Sequence, residues 1–197
     1  MIIKNAEFVK SIKSGEDRFN ESLPEIAVVG KSNVGKSSLI NMLTGNGKLA
    51  KVSKQPGKTR LINFFLLNGE FYLVDLPGYG FAKVSKTEKS DWDEMMGSYF
   101  TTASNLKCLL ILLDIRHKPT REDIAMVRYA ETFSIPYVLV ATKADKIAKS
   151  KRKTESVRLK KEVPKSYDCD VLPISSEDGW GKEALIDEIE KFLGAEV

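Results

Sequence analysis

A glycine-rich segment at residues 30–37, GKSNVGKS, constrains the fold of this chain more than any other stretch of its sequence. It fits the spacing GxxxxGK(S/T), follows an apolar run at residues 26–29, and opens a stretch with helical spacing at residues 37–43. In such a turn the glycines let backbone N–H groups converge on a phosphate, the lysine brings a positive charge to the β- and γ-phosphates, and the hydroxyl ligates Mg²⁺. The segment therefore predicts a phosphate-binding loop whose chemistry is carried by Lys36 and Ser37.

The composition and the rare residue types exclude several classes of protein. With 197 residues, of which 42% are hydrophobic and 29% charged, the chain suits one globular domain with its own core. Its apolar runs are too short to span a membrane, and no signal-peptide core or lipidation motif is evident. Cys108 and Cys169 are too few for a disulfide scaffold, and the single histidine, His117, excludes a histidine metal cluster or a Ser-His-Asp triad. We expect a cytoplasmic protein with no membrane partner.

The pattern of apolar runs predicts an α/β fold. Six strand-like runs alternate with helical stretches, and this alternation is typical of a mainly parallel sheet with helices on both faces. Two of the runs are joined by Asn68-Gly69, a tight-hairpin signal, so one antiparallel strand is expected at an edge of the six-stranded sheet. The predicted strands are 26–29, 61–67, 71–74, 106–113, 137–141 and 171–174, and the predicted helices are 37–43, 87–100, 121–133, 147–161 and 182–193.

A second motif follows the predicted strand at residues 71–74. Residues 75–78, DLPG, fit DxxG, which in a nucleotide hydrolase places a carboxylate near Mg²⁺ and a glycine N–H near the γ-phosphate. The motif is short, and the same residues also favour an ordinary turn. Ligands of open parallel sheets bind outside the carboxyl ends of the strands, so we assign Asp75, Pro77 and Gly78 to the nucleotide site.

Two further segments predict that the base is guanine. Residues 142–145, TKAD, follow a predicted strand and fit (N/T)KxD. The carboxylate of Asp145 can accept from N1–H and from the exocyclic amino group of guanine, paired donors that adenine lacks, and the aliphatic stem of Lys143 can cover the base. After the last predicted strand, backbone N–H groups of Ile174, Ser175 and Ser176 are placed to reach guanine O6.

Together these segments resemble the translation-factor-type GTPases and, within the TrmE-Era-EngA-YihA-septin-like group, the YihA/EngB/YsxC family. The resemblance covers essentially the whole chain and rests on GKSNVGKSSLIN from residue 30, SKQPGKTR from residue 53, DLPGYGFA from residue 75 and DIRHKP from residue 114. It implies a Ras-like P-loop GTPase domain at residues 23–197, preceded by an N-terminal extension at 1–22 that packs on it.

The resemblance also implies roles for individual residues around GTP or GDP. It gives Lys36, Thr59 and Gly78 catalytic roles, and Ser37, Thr59 and Asp75 as Mg²⁺ ligands, with Thr59 in the first switch. The full set expected to bind the nucleotide comprises Gly30, Lys31, Ser32, Asn33, Val34, Gly35, Lys36, Ser37, Ser38, Gly57, Lys58, Thr59, Asp75, Pro77, Gly78, Thr142, Lys143, Asp145, Lys146, Ile174, Ser175 and Ser176.

Two residues modify the expected chemistry. Tyr79 follows Gly78 where Ras-like enzymes carry a water-positioning Gln, so we expect slow intrinsic hydrolysis of GTP. Asn33 matches the asparagine with which related GTPases ligate K⁺ near the phosphates, which makes K⁺ a candidate cofactor. Equal rates of hydrolysis in KCl and NaCl would remove that hypothesis.

Charge is segregated along the chain, although the net charge is only +4. Residues 48–60 hold five basic residues and no acid, residues 146–165 hold nine basic and two acidic residues, and residues 170–197 hold eight acidic and two basic ones. Such runs suit solvated helix faces, and they also suit a polyanionic partner such as RNA.

The leading hypothesis is a monomeric, GTP-driven assembly switch. The resemblance implies the large ribosomal subunit or its precursor as the partner, and the basic run at residues 48–60 overlaps the first switch. A nucleotide kinase using the same phosphate loop is an alternative, although it needs no guanine-specific TKxD. A protein-recruiting GTPase without RNA contact is another, and the salt dependence of RNA binding distinguishes it.

Overall fold

The apolar runs of the sequence form the strands of one sheet, flanked by helices. The computed structural model describes residues 1–17, 22–50, 61–80, 86–164 and 169–194. Within these ranges the strands are β1 (Ala6–Ile12), β2 (Glu25–Gly30), β3 (Ile62–Leu67), β4 (Phe71–Asp75), β5 (Leu106–Asp114), β6 (Tyr137–Thr142) and β7 (Val171–Pro173). The α-helices are α1 (Lys36–Thr44), α2 (Lys86–Thr102), α3 (Arg121–Thr132), α4 (Arg152–Glu162) and α5 (Lys182–Gly194).

The sheet order β1-β3-β4-β2-β5-β6-β7 confirms the predicted α/β class. Strands β4, β2, β5, β6 and β7 pair in parallel, as the alternation of strands and helices requires. The β3–β4 hairpin is antiparallel, and its turn places Asn68 and Gly69 at φ 53° and 70°, a region that Asn and Gly tolerate best. The hairpin predicted from Asn-Gly is therefore confirmed.

The strand count and the position of the antiparallel strand differ from the prediction. Among the described residues the sheet has seven strands rather than six, because residues Ala6–Ile12 pair antiparallel with β3 and take the edge. The antiparallel strand β3 is therefore second from the edge. Strand β1 was missed because a register shift between Phe8 and Lys10 breaks its alternation, and Phe8 and Val9 remain 51% and 38% exposed. The domain boundary after residue 22 stays a prediction.

Alternate residues of the central strands face two separate cores. On one face, Ala27 and Val29 pack with residues of α2, α3 and α4, and on the other Ile26 and Val28 pack with residues of α1 and α5. Because both faces of β2 are covered, all six of its residues are buried. The Cys108 thiol of β5 is also fully buried, and burial raises its pKa well above the ordinary range.

The parallel strands bring five loops to the same edge of the sheet. Strands β2, β4, β5, β6 and β7 end at Gly30, Asp75, Asp114, Thr142 and Pro173, and each predicted motif begins at or directly after one of these ends. The cores fix the strands, and the strands in turn fix the starting points of the loops.

Candidate functional site

The phosphate-binding loop turns from β2 into the N-terminus of α1. Gly35 precedes the helix at φ 110°, a conformation that a residue with a Cβ adopts only with strain, and no side chain caps the helix. The N–H groups of the first helical turn are therefore available to an anion, which the helix dipole also favours. The geometry is that of a phosphate cradle, as the sequence predicts.

Lys36 and Asp75 meet across this loop. Lys36 is the first residue of α1, Asp75 is the last of β4, and their side chains form an ion pair in which they are 16% and 12% exposed. The second carboxylate oxygen of Asp75 accepts a hydrogen bond from Asn63 Nδ2 at 3.3 Å. Two motifs separated by 39 residues thus place opposite charges at one point, next to the helix N-terminus.

Residues 77–80 lie directly against the phosphate loop. The N–H of Ser32 donates to the Tyr79 carbonyl at 2.9 Å, and the Tyr79 N–H donates to the Gly30 carbonyl at 3.3 Å, so the two segments form a short parallel bridge. A Cβ on Gly78 would lie 3.1 Å from the Gly30 carbonyl oxygen, which explains why glycine suits this position. The DxxG motif is therefore mechanically joined to the phosphate loop.

The side chain of Tyr79 points into the protein. It is 7% exposed, its hydroxyl donates to Asp123 Oδ1 at 2.9 Å, and its ring packs edge-on against Trp92. Burial, followed by the charge of Asp123, raises the pKa of Tyr79 well above its usual value, so the phenol is neutral and acts as a donor. The Trp92 indole N–H in turn donates to the Pro77 carbonyl at 3.2 Å. Tyr79 therefore anchors the second motif to α3.

Thr142 and Lys143 tie the base-binding loop to the phosphate loop. The hydroxyl of Thr142 donates to the Val34 carbonyl at 2.6 Å and lies 3.0 Å from the Leu113 carbonyl. Lys143 Nζ donates to the Asn33 carbonyl at 2.7 Å and pairs with Asp114 at 3.0 Å. The Thr142 hydroxyl thus joins the base-binding loop to the backbone of the phosphate loop.

Asp114 holds Lys143 in this orientation. Burial raises the pKa of Asp114, but hydrogen bonds from Arg116 and then Lys143 outweigh burial, and the net pKa lies well below the usual range. The carboxylate therefore stays charged at neutral pH and fixes the ammonium of Lys143. The role expected of the Lys143 stem, covering the base, stays a prediction.

Asp145 and the segment after β7 stand at the same edge. The carboxylate of Asp145 is half-buried and pairs with Lys146 at 2.8 Å; this hydrogen bond lowers its pKa and keeps it an acceptor. The N–H of Ile174 donates to the Ala141 carbonyl at 2.7 Å, and that of Ser175 donates to the Trp180 carbonyl at 3.0 Å. Of the three predicted N–H donors, only that of Ser176 has no backbone hydrogen-bond acceptor among the described residues.

The structure brings together most of the predicted site. The residues of the phosphate loop, the DxxG motif, the TKxD motif and the segment at 174–176 share one edge of the sheet. Gly57, Lys58 and Thr59 lie outside the described residues, so their predicted roles stay predictions. Sequence reasoning missed Asp114 and Asn63 as partners of Lys143 and Asp75. The position of Asp114 at a strand end was a usable signal, whereas Asn63 is identified only by the antiparallel register of β3 and β4.

Comparison with known proteins agrees with this geometry. A family model described as "50S ribosome-binding GTPase" matches residues 25–143. A probable GTP-binding protein EngB of Lactobacillus helveticus is 49% identical over 177 residues, which cover 89% of this chain and 90% of that protein. One from Clostridium kluyveri is 46% identical over 193 residues, 98% of each chain.

Solved structures show the same fold. The crystal structure of a probable GTP-binding protein engB superposes with a TM-score of 0.71 at 27% identity, covering 86% of this chain and 98% of that one. Era, crystallised with MgGDPNP and nucleotides 1506–1542 of 16S ribosomal RNA, superposes with a TM-score of 0.67 at 23% identity, covering 90% of this chain and 59% of that one, and at this identity the likeness concerns the fold alone. Within the part of the chain that the structure describes, no helix is long and apolar enough to cross a membrane.

Proposed function

The chain belongs to the EngB family of GTP-binding proteins and is a GTPase, and we propose that it acts as a slow, nucleotide-dependent switch in assembly of the large ribosomal subunit. In this role it binds the particle in one nucleotide state, hydrolyses GTP to GDP and phosphate, and then releases the particle. The observation that carries the proposal is the backbone bridge between the phosphate loop and residues 77–80.

This bridge supports a switch because it passes changes at the phosphates to a neighbouring segment. A γ-phosphate bound at the helix N-terminus would attract the ammonium of Lys36 and the N–H of Gly78. Lys36 contacts the DxxG segment through Asp75, and Gly78 belongs to that segment. The Lys36–Asp75 ion pair then exchanges one partner for the phosphate, which frees the carboxylate. Nucleotide state is thereby converted into the position of residues 75–80.

The oxygen donors at the loop fit Mg²⁺. This ion is usually held by one or two protein oxygens together with substrate phosphates, and the Ser37 hydroxyl and the Asp75 carboxylate supply such donors. Among the described residues there is no cluster of three His, Cys, Asp or Glu side chains, which a metal held by protein alone would use. Ser37 and Asp75 would hold Mg²⁺, which would supply neutralisation of the phosphate charge, while Lys36 orients the phosphates.

Slow hydrolysis is supported by the orientation of Tyr79. The hydroxyl is committed to Asp123 and the side chain is buried, so it does not face the loop where a water would attack. Without an orienting side chain the protein loses part of the rate enhancement that positioning provides. Asn33 is an exposed residue of the phosphate loop with a backbone φ of 62°. Its side chain is the proposed K⁺ ligand, and KCl should then accelerate hydrolysis relative to NaCl.

An exposed basic surface supports an RNA-containing partner. Lys149 and Lys151, directly before α4, and Lys153, in its first turn, are exposed, and none has an acidic partner among the described residues. We call these three residues the lysine patch. Neutralising phosphates with such side chains gives strong, salt-dependent binding, and the family description, 50S ribosome-binding, agrees with such a partner. The fully buried, free thiol of Cys108 supports a cytoplasmic location, and we propose a monomer.

The test is sedimentation with large ribosomal subunits in GDP and in a non-hydrolysable GTP analogue. We expect binding with one nucleotide only, and about tenfold or greater weakening in a variant with the lysine patch changed to Glu. A matched control changes Lys4, Lys13 and Lys118, also exposed, to Glu. Equal binding in both nucleotides refutes the switch, and a flat dependence on salt favours a protein-recruiting GTPase instead.

A further inference from the structure

Arg152, the first residue of α4, is almost fully buried beneath the base-binding loops. It is 4% exposed, and its guanidinium makes contacts with both loops. Nε donates to the Ala144 carbonyl at 3.0 Å, and Nη2 pairs with Asp178 at 3.4 Å. The Cζ atom of the guanidinium lies 4.6 Å from the centre of the Trp180 ring. Ala144 directly precedes Asp145, and Asp178 follows Ser176 by two residues.

The loop after β7 is folded around the partner of this arginine. Asp178 accepts from the Trp180 N–H at 3.1 Å, and its own N–H donates to the Ser175 hydroxyl at 3.2 Å. The hydroxyl of Ser175 and the N–H of Trp180, and then Arg152, lower the pKa of Asp178, so the carboxylate is charged when it meets the guanidinium. The conformation around Ser176 is therefore set by groups that touch Arg152.

A buried guanidinium is costly unless its donors are used, and an apolar residue of the same size would fill the space at less cost. Here Asp178 is half-exposed, with 44% of its side chain accessible, and Nη1 of Arg152 is buried without a hydrogen-bond partner among the described residues. A contribution to stability therefore does not explain why this buried position holds an arginine. An arginine can, however, contact two loops at once through its flat, rigid set of N–H donors, which an apolar residue cannot do.

We propose that Arg152 is a positioning residue for base recognition: it fixes the distance between the Asp145 carboxylate, which would accept from N1–H and the 2-amino group of guanine, and the Ser176 N–H, which would donate to O6. The inference rests on the proposed reading of guanine by this site. A loop displaced by about 1 Å weakens the directional hydrogen bonds to the base, while the contacts to the phosphates, which are made by α1, stay the same. Base discrimination therefore falls more than nucleotide affinity in general.

The experiment compares the affinities for GDP and inosine diphosphate, which lacks the 2-amino group that Asp145 reads. The ratio of the two dissociation constants is unaffected by a change in the folded fraction, so it separates positioning from stability. In Arg152→Leu we expect GDP to bind about tenfold more weakly and inosine diphosphate about twofold more weakly, a fivefold loss of discrimination. Arg152→Lys, which retains the charge without the planar fork, should restore less than half of this loss on a logarithmic scale.

Arg158→Leu is the matched control. Arg158 lies on the same helix but bonds to Glu155, Glu162 and the carbonyls of Ile115 and His117, and among the described residues it makes no hydrogen bond to residues 142–146 or 174–180. Its substitution should leave the ratio at the wild-type value. An unchanged ratio in Arg152→Leu, or an equal loss in Arg158→Leu, overturns the proposal.

Two milder variants decide the question if Arg152→Leu does not fold. Asp178→Asn and Trp180→Leu change half-exposed side chains that hold the guanidinium, and each should lower the ratio about two- to threefold. Wild-type ratios in both overturn the proposal. A wild-type protein that binds GDP and inosine diphosphate equally would instead refute guanine reading itself, and ribosome sedimentation tests the switch independently of either result.

Discussion

The two halves of the candidate site are held together in different ways. The base side comprises residues 142–146 and 174–180, and contacts between protein groups hold it in place. Thr142 bonds to the phosphate-loop backbone, Lys143 pairs with Asp114, and Arg152 contacts both loops. The phosphate side, residues 30–37 and 75–80, is joined by one charged pair and a short backbone bridge. That pair consists of Lys36 and Asp75, which the phosphates and Mg²⁺, respectively, would also attract.

This difference separates recognition from switching. Groups that are already fixed before the ligand binds lose little entropy on binding, which suits selection of one base. A pair that must exchange partners changes its geometry with the ligand, and it can therefore report whether a γ-phosphate is present. The base side should accordingly be insensitive to the number of phosphates, and the phosphate side should be insensitive to the base.

The largest effect is expected on the phosphate side. Lys36→Ala removes an ammonium that would contact two phosphates, and two charge-assisted hydrogen bonds of about 1.5–3 kcal/mol each correspond to a loss of roughly 150-fold or more. Titration with GTP measures this loss, which should be equally large for inosine triphosphate. GDP lacks the γ-phosphate and should lose one such bond, a weakening of about 10- to 150-fold. Lys153→Ala, an exposed lysine of α4, is the control. Retained affinity in Lys36→Ala would remove the central role of this loop.

A slightly smaller effect is expected from the base side. Asp145→Asn replaces a charged acceptor of two guanine donors by an amide, and GDP should bind about 10- to 150-fold more weakly. Xanthosine diphosphate should gain affinity, because the new amide can donate to its 2-oxo group while accepting from N1–H. If both nucleotides lose affinity equally, Asp145 supports the loop without reading the base.

Tyr79→Phe tests whether the second motif contributes chemistry or anchoring. Loss of the buried bond to Asp123 should lower the free energy of unfolding by about 1–2 kcal/mol, since Asp123 keeps its contacts to Thr120, and the single-turnover rate should stay within about twofold. Urea unfolding and single-turnover hydrolysis measure the two quantities. A large fall in rate without a fall in stability would contradict the anchoring role.

The pH dependence of that variant follows from the raised pKa of Tyr79. A phenol whose pKa is higher in the folded state contributes stability below its unfolded pKa of about 10, and this contribution declines as pH rises beyond that value. The stability difference between the wild type and Tyr79→Phe should therefore be constant from pH 7 to 9 and decrease above about pH 10. A constant difference at pH 11 would be inconsistent with the buried phenol.

The smallest effect is expected at Asp114. Its lowered pKa means that the charged form stabilises the fold above the unfolded pKa of about 3.9, and that this contribution is lost as pH falls. Asp114→Asn should cost about 1 kcal/mol at pH 7, given that Arg116 is exposed, and a smaller amount near pH 2, where the unfolded carboxyl is protonated and the folded one approaches its lowered pKa. Equal costs at both pH values would show that packing, rather than charge, supports Lys143.

The candidate site was more predictable from sequence than its supports. Lys36, Asp75 and Asp145 are found where short motifs meet strand ends, and the parallel sheet brings those ends to one edge. By contrast, Arg152 is one of nine basic residues in a run that resembles a solvated helix, and nothing in that pattern distinguishes the buried one. The seventh strand was missed for a similar reason, since β1 is half-exposed and interrupted by a register shift.

The phosphate loop, the guanine motif and the alternation of strands and helices follow from the sequence alone, because each depends on residues that are neighbours along the chain. Three contacts emerge only in the folded protein: Tyr79 points to Asp123 instead of the nucleotide, Asn63 supports Asp75, and Arg152 joins the two base-binding loops. Those contacts depend on which elements pack together and in what register. Local spacing specifies which groups can perform the chemistry, and packing specifies which way each of them points.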